Sequence, residues 1–415
     1  MEHIQLCYGR QELSVDIPRK NFLGCLRPKK TTAIKDPRQE VIRALNHPID
    51  SPRLKDLVTI EDKVAVVISD ITRPCPSALL LPYVLDELNQ GGVPDEHIII
   101  VSALGSHRPH TKEELKQLVG PIYGRVKCFD SFGDDYVEVG VSSRGTPYQV
   151  FRPVVEATKR VCLGNIDYHY FVGYSGGAKA IVPGVCTRKT IQSNHQMMLD
   201  PGAKVGVTEN NPVREDIEEI SRFLSIDFIL NVVLDENKNI MSAVAGHFQK
   251  AHKEGCNILD QAYRTPINEL ADIVITTPHG FPKDINLYQA QKALDNAQWA
   301  VKQGGIIILV AECSEGLGET TFKRWIEEAE KPEDILQRIV QDFQLGGHKA
   351  AAIAAMITKF QVFIVSDLPE STARKIFMRP FSNVNEALET ALREKGDSAK
   401  IWVMPTGGTT LPCLL

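Results

Sequence analysis

Asp167-Tyr-His-Tyr-Phe-Val-Gly-Tyr-Ser-Gly-Gly-Ala-Lys179, continuing through Pro183-Gly184 to Asn194-His195, is the stretch from which the rest of the chain is read. A histidine, a glycine-rich turn, a lysine and a second histidine follow one another with few other charges between them. Gly173, Gly176 and Gly177 allow a backbone to come close to a phosphate, and Lys179 stands behind them, so the stretch reads as a cofactor cradle. It is not a Walker A loop, because Lys179 follows Ala178 rather than glycine and is followed by Ala180 rather than Ser or Thr.

Composition narrows the classes around that cradle. A chain of 415 residues exceeds one ordinary core, so two domains are expected. With 43% hydrophobic and 24% charged residues it is globular, and a net charge of −5 gives no footprint for nucleic acid. No apolar run approaches the roughly 20 residues that span a bilayer. The N-terminus lacks the charged start and apolar stretch of a signal peptide. A cytoplasmic protein with no membrane or nucleic-acid partner is therefore expected. The nine cysteines are scattered without any Cys-x-x-Cys, which argues against a zinc ribbon or a disulfide framework. They read as small buried residues in a reducing compartment.

Upstream of the cradle the pattern alternates between strands and helices. Residues 1–17 suit one or two edge strands, 18–28 a connection and 38–46 a helix. Lys63-Val-Ala-Val-Val-Ile-Ser69 and His97-Ile-Ile-Ile-Val-Ser102 are short β-branched runs, as in strands buried on both faces. The first runs into Asp70-Ile-Thr-Arg-Pro74 and the second into Gly105-Ser-His-Arg-Pro109. Helices are expected over 78–89 and, from the capping pattern Thr111-x-x-Glu114, over 111–119. After a β-rich stretch from 126 to 150, Arg160-Val-Cys-Leu-Gly-Asn165 is a further strand, and it feeds the cradle. This is the order of a parallel α/β sheet, whose ligands bind beyond the carboxyl ends of the strands, where Asp70, Arg73 and His107 fall. Thr187 is a plausible N-cap for a helix that brings Ile191 and His195 onto one face. A strand over 227–234 and a helix over 248–263 close this part.

A second α/β unit starts at Ala271-Asp-Ile-Val-Ile-Thr-Thr277, with later strands at 305–311, 360–365 and 399–404. A helix from Asp284 to about Gly304 puts Tyr288 and Lys292 one turn apart near its start, where a carboxylate meets a cation and a favourable dipole. The expected fold class is α/β, two α/β domains with mostly parallel sheets, divided as 1–267 and 268–415. Each cluster has an ordinary alternative. His3, His47, His97, His247 and His252 read as surface or satisfied core histidines. Asp70 with Arg73 suits a turn salt bridge, and Tyr288 with Lys292 a solvated helix face.

Taken in order, five motifs change the balance: Asp70-x-Thr72-Arg73-Pro74, Ser106-His107-Arg108-Pro109, His169-Tyr-Phe-x-Gly-Tyr-Ser-Gly-Gly-x-Lys179, Asn194-His195 and Leu287-Tyr288-Gln289-Ala290-x-Lys292. Together they resemble the nickel-dependent lactate racemase family across essentially the whole chain. The resemblance implies a two-domain enzyme with its site in the interdomain cleft. The implied cofactor is a nickel-pincer nucleotide, pyridinium-3-thioamide-5-thiocarboxylic acid mononucleotide. On this resemblance Lys179 carries the cofactor, His195 supplies a nickel ligand, and His107 and His169 are the paired acid and base. Arg73, Tyr288, Gln289 and Lys292 contact the 2-hydroxy acid, while Asp70, Thr72, Ser175, Gly176 and Gly177 contact the nucleotide. Cofactor-biosynthesis proteins are implied as loading partners, and self-association is left open.

That chemistry needs these residue types. Removing the α-proton of a 2-hydroxy acid would leave a carbanion beside a carboxylate, which is hard to stabilise. Hydride transfer avoids it but requires a base for the hydroxyl proton, and imidazole titrates in the right range for both directions. One departure concerns the substrate: Gly346-Gly-His348-Lys349 falls where lactate-specific members carry a pocket aromatic, which suggests a longer or more polar side chain. Two other classes use the same residues. A kinase or transferase would require magnesium-binding carboxylates, for which only Asp167 and Asp200 offer themselves, and a non-catalytic sensor would dispense with His107 or His169.

Overall fold

Each of the long apolar runs becomes an interior strand, because a run without polar alternation has to be covered on both faces. The computed structural model describes residues 1–29 and 34–415. The chain divides into two compact units, Thr31–Asp260 and the discontinuous pair Met1–Lys30 with Gln261–Leu415.

In the first of these a six-stranded sheet runs in the order Ile240–Gly246, Phe228–Leu234, Lys159–Ile166, Val64–Ser69, Ile98–Ala103, Lys127–Asp130. All neighbours are parallel except the pair Phe228–Leu234 and Ile240–Gly246. From Val64–Ser69 the chain winds outward through Ile98–Ala103 to Lys127–Asp130. From Lys159–Ile166 it winds the opposite way. The order thus reverses between Val64–Ser69 and Lys159–Ile166, and a crevice opens at the carboxyl ends of strands at such a point. The sheet's core includes Val66, Ile68, Leu80, Leu81, Val84, Ile100, Val161 and Leu230. Helix Ser77–Gln90 covers it, and Lys112–Val119 begins with the full capping box of Thr111 and Glu114.

The second unit has its own parallel six-stranded sheet, ordered Arg379–Phe381, Gln361–Val365, Val301–Val310, Ala271–Thr276, Ile401–Met404, Phe22–Cys25. Two expectations change here. Residues 18–28 are not simply a connection, since Phe22–Cys25 pairs with Ile401–Met404 at the sheet edge. The helix expected to reach Gly304 stops at Ala297, and Val301 already pairs with Ala271. The hairpin of Glu2–Tyr8 and Gln11–Ile17 contributes Leu6, Val15 and Ile17 to this unit's core. The division by packing therefore interrupts the chain twice, whereas 1–267 and 268–415 is a single cut.

All nine cysteines are free. Burial pushes the thiols of Cys75 and Cys162 up to about 12, which keeps them inert at neutral pH. Among the described residues no helix is long and apolar enough to cross a membrane.

Candidate active site

Three adjacent strands deliver the polar clusters of the first unit. After Ser69 the chain turns through Asp70, which is 3% exposed, and both of its carboxylate oxygens are used. One accepts the Thr72 amide at 2.7 Å and the Thr72 hydroxyl. The other accepts from His107 Nδ1 at 2.7 Å. Burial works against the charge, but bonds from His107 and Thr72, with the positive charges of His107 and Arg73, hold the carboxyl below its ordinary range. Because Nδ1 of His107 donates to Asp70, the neutral ring carries its lone pair on Nε2. His107 lines a cavity of about 700 Å³ with Ser106, Tyr136, Gln149, Thr187 and Arg188. Arg73 is exposed at the end of the same turn.

This turn has a support that the sequence reading passed over. His110 accepts the Ile71 amide on Nε2 at 3.0 Å and holds Asp130 through Nδ1 at 2.6 Å. Both ring nitrogens are engaged, so His110 anchors the turn that carries Asp70, Thr72 and Arg73.

From Lys159–Ile166 the chain enters the cradle. Tyr168–His169 and Gly173–Tyr174 pair as a small antiparallel ribbon, with His169 opposite Gly173. His169 Nδ1 accepts the Val172 amide at 3.4 Å, and its ring stands edge-on to Phe171 at 4.6 Å between centroids. Phe171 meets His195 in the same way at 4.9 Å, so one phenyl ring separates the two histidines. His195 closes the helix Arg188–His195, whose N-cap is Thr187 as the sequence suggested. Its Nδ1 lies 3.0 Å from Asn194 Oδ1. The Asn194 amide nitrogen donates to Val213 O at 3.1 Å and Asp216 at 2.8 Å, which leaves Oδ1 as the acceptor. The His195 proton is therefore on Nδ1 and the lone pair on Nε2, the arrangement of a second-group-oriented metal ligand.

Gly176 and Gly177 have φ of 81° and 61°. A Cβ on Gly176 would sit 2.7 Å from Asn231 Oδ1, and on Gly177 it would sit 2.9 Å from an Arg214 nitrogen, so only glycine fits this turn. Lys179 follows in the one-turn helix Gly177–Ala180. No side-chain hydrogen bond or ion pair among the described residues engages it. Burial, then the positive charges of Arg73 and Arg214, push its amine well below the ordinary lysine range. Ser175 uses its hydroxyl within the turn, donating to Asn165 O at 2.8 Å.

In the other unit, Tyr288, Gln289 and Lys292 lie on the helix Leu287–Ala297, capped by Asn286. Gln289 and Lys292 are exposed, and Tyr288 is half-buried. His348 is 8% exposed and accepts the Gly346 amide at 3.0 Å. Lys349 donates to Tyr288 O at 2.7 Å and stands 4.0 Å over the Tyr288 ring. Both residues therefore have partners in their own unit, which weakens the argument from them for a longer or more polar substrate.

The residues fit a nickel-pincer nucleotide. Among the described residues no three His, Cys, Asp or Glu side chains cluster so as to hold a metal. A metal bound beside His195 would need most of its donors from an organic ligand, and Lys179 offers an amine to hold that ligand covalently. Asp167 and Asp200 are exposed and form no magnesium site with other carboxylates or histidines.

The lactate racemase N-terminal domain matches residues 8–206 and the lactate racemase C-terminal domain matches residues 267–411. The lactate racemase of Thermoanaerobacterium thermosaccharolyticum is 34% identical over 420 residues, covering 98% of each chain. That of Lactiplantibacillus plantarum is 32% identical over 423 residues, covering 98% of this chain and 99% of its own. The structure of the lactate racemase apoprotein from the former organism superposes with a TM-score of 0.89 over 99% of this chain and 100% of its own, at 32% identity. A crystal structure of a Thermotoga maritima protein, 18% identical with a TM-score of 0.60 over 94% of this chain and 100% of its own, shares the fold. With both domains matched and near-complete coverage at 32–34% identity, the chain belongs to the nickel-dependent lactate racemase family.

Proposed function

We propose that this isomerase interconverts the enantiomers of a short 2-hydroxy acid, lactate first among them, using a nickel-pincer nucleotide carried on Lys179 with His195 as nickel ligand. The observation that supports it best is the buried Asp70 that holds Nδ1 of His107. His107 donates from Nδ1 to Asp70, which leaves Nε2 as a base. His169 Nδ1 meets the Val172 amide, which makes Nε2 the nitrogen assigned to proton exchange, and the ring acts as the acid in its imidazolium form. A racemase needs one of each at any moment and their exchange after each turnover.

When bound, the cofactor supplies an electron-poor pyridinium carbon beside nickel that accepts hydride and returns it. The protein's own residues do the rest. His107 Nε2 takes the hydroxyl proton of one enantiomer, and Asp70 stabilises the imidazolium that forms. His169 serves the other enantiomer in the same way. Arg73 binds the substrate carboxylate and fixes the α-carbon, while Tyr288, Gln289 and Lys292 are assigned as further substrate contacts. Asp70 and Thr72, with Ser175, Gly176 and Gly177, are assigned to the nucleotide, Asp70 in addition to its hold on His107. Cofactor supply by biosynthesis proteins and a cytoplasmic location belong to the same proposal.

The test is isotopic. α-Deuterated lactate is incubated with loaded enzyme in ordinary water and the inverted product is analysed at initial rate. Retained deuterium is expected of hydride transfer. Complete washout would indicate proton abstraction at carbon and overturn the reading.

A further inference from the structure

Two buried side chains that take no part in this chemistry grip the turn before Lys179. Helix Pro212–Glu218 carries Arg214, 1% exposed, and helix Lys250–Tyr263 carries His252, 2% exposed. Arg214 Nη1 points to the carbonyls of Tyr174 and Gly176 at 3.4 and 3.5 Å, and Nη2 donates to His252 Nδ1 at 3.0 Å. Its Nε donates to Glu218 at 2.6 Å. With Nδ1 accepting, His252 has its proton on Nε2 and donates it to Ser175 O at 2.8 Å. Three successive carbonyls are thus held by one linked pair. The next amide, Gly177 N–H, is held by Asn231 Oδ1 at 2.8 Å.

We propose that Arg214 and His252 are positioning residues that present the Lys179 amine as the nucleophile for covalent cofactor attachment. This rests on Lys179 being the attachment residue, as read above. A buried guanidinium is costly to maintain, and apolar packing would hold a turn at lower cost. A cation here does something packing cannot. Arg73 and Arg214 are the charges that act on Lys179, and both are positive, so they add to burial in keeping the amine unprotonated. The free amine is the reacting form: its nitrogen bonds to the carbon of a thiocarboxyl group of the cofactor, the C–O bond of that group breaks, and the oxygen leaves as water with protons from the amine and solvent, leaving a thioamide. His252 completes the device as a neutral ring, because burial and then the Arg214 charge hold it well below the ordinary histidine range. A protonated ring would turn a second donor against Arg214.

The test uses the full-length apoprotein and an N-hydroxysuccinimide ester of acetic acid, with Lys179 acetylation followed by peptide mass spectrometry across a pH series. In the unaltered chain Lys179 should react faster than exposed lysines at pH 7. Arg214→Gln should move the pH midpoint of that reaction upward and slow it on the acid side of the midpoint, where each pKa unit changes the free-amine fraction tenfold. Arg214→Lys keeps the charge but cannot reach both carbonyls and His252 together, so the rate should fall with the midpoint kept. His252→Leu should slow the reaction, and His252→Gln, whose amide can accept from Arg214 and donate to Ser175, should restore it. Circular dichroism identifies the folded variants to be compared. Unaltered rate and midpoint in folded Arg214→Lys and His252→Leu would overturn the positioning role while leaving the attachment reading intact. An unreactive Lys179 in the unaltered chain would overturn both.

Discussion

Replacing Asp70 by Asn tests the base directly, because it removes charge while keeping shape. In the native turn Asp70 accepts from Thr72 twice on one oxygen and from His107 on the other at 2.7 Å. In Asp70→Asn the amide oxygen stays with the two Thr72 donors, and the amide nitrogen then faces His107 Nδ1. Nδ1 must accept, so the His107 proton moves to Nε2, where the base is required. Loss of a hydrogen bond to a charged group is worth about 1.5–3 kcal/mol. At about 1.4 kcal/mol per tenfold, this predicts a fall in kcat/KM of about 10- to 150-fold. Enantiomers have equal free energies, so the fall must be the same in both directions, and polarimetry started from each enantiomer reads it. Acid stability supplies a second readout. The Asp70 carboxyl is held below its ordinary range when folded, so its contribution is full above about pH 4 and is lost as pH falls through the folded value. Asp70→Asn should be less stable at neutral pH and should lack that part of the acid-side decline. Unchanged rates in both directions would refute the orienting role of Asp70.

Two further predictions concern the cradle. His195→Ala removes the proposed nickel ligand but leaves Lys179, so a loaded preparation should keep its covalent mass adduct while its nickel content by elemental analysis falls; nickel held at the native ratio would return His195 to a structural role. Gly176→Ala forces a side chain into a φ of 81° with Cβ 2.7 Å from Asn231 Oδ1, so it should cost about 1–3 kcal/mol of stability, read as a lower urea midpoint, and a native midpoint would contradict the turn geometry.

The residues proposed as reacting groups stand out in the sequence because they lie in short local motifs at strand ends. His107, His169, Lys179 and His195 follow buried strands or a capped helix, and both signals are carried by adjacent residues. Their supports were not legible. His252 reads as an ordinary core histidine, and Arg214 as one charge in a helix that begins Asn211-Pro212 with acidic neighbours. Nothing local says that they meet 38 residues apart over three carbonyls. His110 likewise joins Ile71 to Asp130, partners that lie 39 and 20 residues away.

By itself the sequence determined the interior strands of both sheets, the parallel α/β class, the glycine turn and the motif stretches, because uninterrupted β-branched runs, capping patterns and glycines act over a few neighbouring positions. Tertiary structure alone decided that Phe22–Cys25 joins a sheet through Ile401–Met404, that Asp70 orients His107, and which nitrogen of His107 and of His195 holds the proton. The physical reason is common to all three. An edge strand takes its pairing, a carboxylate its function and an imidazole its tautomer from the groups placed opposite, and those groups come from distant parts of the chain.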